Sequence, residues 1–67
     1  MIVLSKLDNS PILVNLEAIK YLESTPDTLI HFLNGDSLLV REKLDDIEKI
    51  VQKTKADILK KALNQEG

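Results

Sequence analysis

Cysteine is absent from this 67-residue chain, and so is tryptophan. Without cysteine there can be no disulfide and no zinc–thiolate site. A single histidine, His31, cannot build a multi-histidine metal centre by itself. Glycine is limited to Gly35 and Gly67, which leaves no glycine-rich phosphate loop. Tyr21 and Phe32 are the only aromatic side chains, too few for a base-stacking nucleic-acid platform. No apolar run approaches the roughly 20 residues that span a bilayer. The first apolar run breaks at Ser5-Lys6, which is not the pattern of a secretory signal peptide. The reading is therefore a soluble, cytoplasmic protein without membrane insertion. A chain this short buries only about 60% of the surface its unfolded form exposes. With disulfides and metals set aside, oligomerisation or unusually good packing has to supply the rest.

Charge is present in both signs, and its distribution is uneven. The net charge of −2 is too small to name a partner. Residues 1–48 carry four basic and nine acidic residues, whereas residues 49–67 carry five basic and two acidic ones. A basic tail of this kind can bind a partner. It also suits the C-terminal end of a solvated helix, where the dipole favours lysine.

The pattern predicts one α+β domain over residues 1–67: mostly β over 1–43, helical over 44–64, and a tail at 65–67. Residues 2–7 and 12–16 read as strands flanking the turn formers Asp8-Asn9-Ser10-Pro11. Residues 17–24 are ambiguous between a helical turn at 17–19 and a strand at 19–23. Pro26 biases Thr25 away from helix, and the Asp27 carboxylate can close the turn that follows. Residues 28–33 and 36–42 are strands on either side of Asn34-Gly35. That pair suits a two-residue type I′ turn, which would place Leu29 opposite Val40 and Ile30 opposite Leu39. Both faces of the hairpin would then be apolar, so each would need a cover. The expected fold is a small antiparallel sheet of four to five strands with one C-terminal helix packed on a face.

Residues 45–64 read as that helix. Asp45 serves as the expected N-cap, with Glu48 three residues on as its capping-box partner. Leu44, Ile47, Val51, Ile58 and Ala62 project on one side at about 100° per residue. Leu59 and Leu63 drift to a second edge, making the apolar stripe wider than one surface needs. Core packing accounts for the stripe, and a contact with a second copy is the sharper alternative; the surplus apolar surface, with Leu59 and Leu63 or one face of the 29–40 hairpin as candidates, is expected to pair in a homo-oligomer, a symmetric dimer by default. Thr54 and Lys61 interrupt the seam a coiled coil would require.

Catalytic chemistry is thin. His31 sits in an apolar strand, the serines lack a nucleophile-elbow context, and Asp45, Asp46 and Glu48 crowd a helix start where capping explains them. No catalytic, cofactor-binding or metal-ligating residue is assigned. Lys49, Lys53 and Lys60 share one outer helix face, but Asp46 and Asp57 border and dilute it. Nucleic acid is thus an unlikely partner. A small nucleic-acid-binding or regulatory module remains the competing class.

Thr25-Pro26-Asp27-Thr28-Leu29-Ile30, the downstream Leu33-Asn34-Gly35 and the opening Met1-Ile2 with Leu4 and Leu7 resemble the FlbD/SwrD family of small flagellar proteins. Asn9, Asn15, Ile19, Glu23, Val40, Glu42 and Ile50 continue the match, which covers about residues 1–52. The first hairpin carries Asn9-Ser10 where that family commonly shows Asn-Gly. The resemblance implies a non-enzymatic accessory of flagellar motility that binds motor or stator proteins, acting at the basal body. It carries over no site residue. Glu23, Asp27 and Glu42 are the polar matches that make candidate contacts, although turns and edge strands also solvate such residues.

Overall fold

The computed structural model describes residues 1–64. The tail expected at 65–67 lies outside the described residues. Five antiparallel strands form two small sheets, followed by one helix, so the α+β expectation holds. Strands β1 (Ile2–Ser5) and β2 (Pro11–Val14) form the first sheet; β3 (Ile19–Ser24), β4 (Thr28–Phe32) and β5 (Ser37–Val40) form the second. Helix α1 spans Leu44–Asn64. Both readings of residues 17–24 are realised in succession. Leu16–Ala18 makes a 3-10 turn, with the Asn15 side chain accepting from the Glu17 N–H, and β3 starts at once.

Of the three hairpins, β1–β2 and β4–β5 close in the same way. In the second, the Phe32 carbonyl accepts from the Gly35 N–H at 3.0 Å, and the Phe32 N–H donates to the Asp36 carbonyl at 2.9 Å. The loop is therefore the three residues Leu33-Asn34-Gly35, with Gly35 at φ +94°. In the first, Lys6, Asn9 and Ser10 make the equivalent pair of bonds, and Asn9 takes the left-handed role at φ +70°. In each loop an Asx side chain, Asp8 or Asn34, accepts from the N–H two residues on. The type I′ expectation for 34–35 is thus corrected. A type I′ turn needs positive φ at both central residues, and Asn34 does not have it.

The extra loop residue slips the register by one. Thr28 pairs with Val40, Leu29 with Leu39, Ile30 with Leu38 and His31 with Ser37. A one-residue slip exchanges faces. Ile30, Val40 and Thr28 are buried on the inner face, with Phe32 and Leu38 beside them, while Leu29, His31, Ser37 and Leu39 face outward. The expectation of Ile30 and Leu39 on one face therefore fails, and the inner face of the hairpin is apolar but for Thr28. A bulge in β3 between Ile19 and Tyr21 acts similarly. It sets Ile19, rather than Lys20, opposite Phe32, and so keeps an ammonium out of the interior.

A seam joins the sheets. Lys6 bridges Val40, the Arg41 N–H donates to the Ser5 carbonyl at 2.9 Å, and the Ser5 N–H donates to Glu42 Oε1 at 2.9 Å. Ile2, Leu4, Val14, Ile30, Val40 and Ile47 form the core, drawing on both sheets and the helix. The helix begins at Leu44, where the helical region was expected to open, but without the expected cap. The Lys43 carbonyl accepts the first helical bond, from the Ile47 N–H, so Asp45 and Asp46 lie inside the first turn rather than capping it. They still complement the positive end of the dipole.

Candidate interaction surfaces

The outward face of the second sheet carries two cross-strand rows. Tyr21 opposes His31, which opposes Ser37; Glu23 opposes Leu29, which opposes Leu39. The Tyr21 and His31 rings stack with centroids 4.2 Å apart and planes at 23°. His31 Nε2 lies 2.7 Å from Glu23 Oε1. Tyr21 and Leu39 are exposed, and His31 and Leu29 are half-buried. A shallow groove of about 500 Å³, lined by Lys6, Leu7, Leu29 and Leu39 among others, continues this face toward the first hairpin. Reading the sequence missed the Tyr21–Glu23–His31 group, because it depends on the pairing of β3 with β4. The alternation of Tyr21 and Glu23 was the available signal.

The other polar candidates separate. Glu42 belongs to the seam, where its carboxylate holds the Ser5 N–H. Partial burial pushes its acidity up in pKa, but hydrogen bonds from the Ser5 and Glu42 N–H groups and the Ser5 hydroxyl, with the Arg41 charge, outweigh this. The net result is a carboxyl held below its ordinary range. Asp27 lies on the exposed turn after β3, at a cleft of about 290 Å³ that Arg41 and Lys43 also line. The turn closes through backbone, with the Thr25 N–H donating to the Asp27 carbonyl at 3.1 Å, so the expected closing role of the Asp27 carboxylate is corrected. Glu23, Asp27 and Glu42 therefore do not form one site.

The helix divides in two. Ile47 is buried, and Leu44, Ile50, Val51 and Thr54 are partly covered by the strands. From Lys55 to Leu63 every residue is exposed. Ile58, Leu59 and Leu63 each expose about 60% of their surface. Ile58 and Ala62 thus leave the core stripe to which periodicity assigned them, because the sheet ends before the helix does. A helix of 21 residues is about 31 Å long, and the molecule measures 45 × 23 × 19 Å.

Among the described residues no three His, Cys, Asp or Glu side chains gather as a metal site. No helix among them is long and apolar enough to cross a membrane. A family model described as FlbD, flagellar and swarming motility proteins, matches residues 1–59. No curated protein and no solved structure matches the chain.

Proposed function

Because the chain belongs to the FlbD family of flagellar and swarming motility proteins, we propose that it is a non-enzymatic, cytoplasmic accessory of flagellar motility. It acts by docking on motor or stator proteins at the basal body. The observation that carries this reading is the outward face of β3–β5. An aromatic pair stacked at 4.2 Å, pinned by a carboxylate and bordered by Leu29 and Leu39, lies outside the core. Tyrosine presents a large contact area at little entropic cost, and such anchors dominate protein interfaces. Glu23 and Asp27 add negative charge near one end of this face, which suits a basic contact on the partner.

The test is co-purification of motor and basal-body proteins from motile cells, alongside swarming of the same strains. Tyr21→Ala and Glu23→Lys should fold, lose the co-purifying motor component and reduce swarming. Wild-type recovery and wild-type swarming in both variants would remove this face from the account.

A further inference from the structure

We propose that α1 pairs with α1 of a second copy of this chain, antiparallel and about a two-fold axis. The pairing uses α1 and the recess beside it, and is independent of docking to the motor through the outward face of the sheet.

One face of α1 differs at its two ends. Near its start, Leu44, Glu48, Val51 and Gln52 border a cleft of about 440 Å³ whose far wall is Leu22 of β3. Near its end the same face continues as exposed Leu59 and Leu63. One molecule thus carries both an apolar recess and an apolar projection, and neither is filled by its own chain. A two-fold interface uses each feature twice, since what one copy inserts its partner receives.

Charge selects the orientation and the occupant. The helix opens with Asp45, Asp46 and Glu48 and continues with Lys49, Lys53, Lys55, Lys60 and Lys61 against Asp57. Laid parallel, two copies would stack lysine on lysine. Laid antiparallel, each basic end lies over an acidic start, and the helix dipoles oppose favourably. Glu48 and Lys55 share the contact face seven residues apart, about 10 Å along the axis, too far to pair within one chain. In the antiparallel pair, with Leu59 over the partner's Leu44, Lys55 meets the partner's Glu48, and the reciprocal contact is identical. In that register Leu63 falls opposite position 40, past the start of the partner's helix, so the union covers Leu59 of the bare apolar end and adds burial that a domain of this size lacks.

Sedimentation of the purified full-length chain across the micromolar range tests this, with circular dichroism to confirm folding. The wild type should be a dimer whose melting temperature rises with concentration. Leu59→Lys with Leu63→Lys should give a folded monomer. Glu48→Lys and Lys55→Glu should each weaken the dimer about tenfold or more. Combining those two in one chain should restore it, because the swapped charges meet again across the axis. Tyr21→Ala should leave it intact. A monomeric wild type overturns the proposal. So does a dimer that survives the leucine substitutions, and failure of the charge swap to restore association overturns the antiparallel arrangement.

Discussion

The first half of α1 and the second half share one amphipathic pattern, yet they meet opposite fates. Ile47 is 3% exposed and Leu63 is 62% exposed. Periodicity identifies a face; it does not say what stands opposite. In the first half β1 and β3 stand opposite, and in the second half the strands have ended. The molecule is a packed body with a projecting rod, and apolar residues are core in one and exposed in the other.

Substitutions can widen or erase that contrast. The largest effect is expected at Ile47→Ala, which removes a buried side chain shared by helix and sheets and should cost about 2–4 kcal/mol in denaturant unfolding. Gly35→Val should cost about 1–3 kcal/mol. A side-chain carbon there would meet nothing within 4 Å, so the loss is backbone strain at φ +94° alone. An unchanged melting curve for Gly35→Val would contradict the loop geometry. Glu42→Ala should cost about 1 kcal/mol through the Ser5 contact. Its folded-state acidity lies below the unfolded value, so its contribution is present above the ordinary carboxylate range and is lost as pH falls through the lowered value. The variant should therefore show a flatter acid limb than wild type, measured as stability against pH. Leu63→Ala should change concentration-independent stability by less than about 0.5 kcal/mol. A loss there as large as at Ile47 would mean that the rod belongs to the body.

Much of the body was legible in residue order. Asn34-Gly35 located the second hairpin, Asp8 to Pro11 located the first, and the helix appeared within one residue of its start. The errors in the second hairpin share a cause, the number of residues its turn consumes. Asn34-Gly35 is compatible with a two-residue loop or a three-residue one, and the backbone bonds of Phe32 with the φ at Asn34 distinguish them. That single residue puts Leu39 on the outward face, away from Ile30. Lys43 does not look like a cap, because its contribution is a backbone carbonyl rather than a side chain. The Tyr21–Glu23–His31 group stayed hidden for a different reason. It spans two strands whose register is set by the turn between Ser24 and Thr28, whose length composition does not announce. Leu59 and Leu63 were found from the width of the stripe, and the structure leaves both exposed.

The seam also dictates an order of assembly. Each hairpin closes over three loop residues, whereas Ser5 and Glu42 are 37 positions apart. Loop-closure entropy grows with length, and contacts between distant residues reward the chain only after that cost is met. The hairpins are therefore the early events, and the join between sheets is the late one. Helix α1 starts two residues after Glu42, so its seat against β1 exists only once the join has formed. Removing the Glu42 carboxylate should accordingly act more on the rate of unfolding than on the rate of folding, which the two arms of a chevron plot separate.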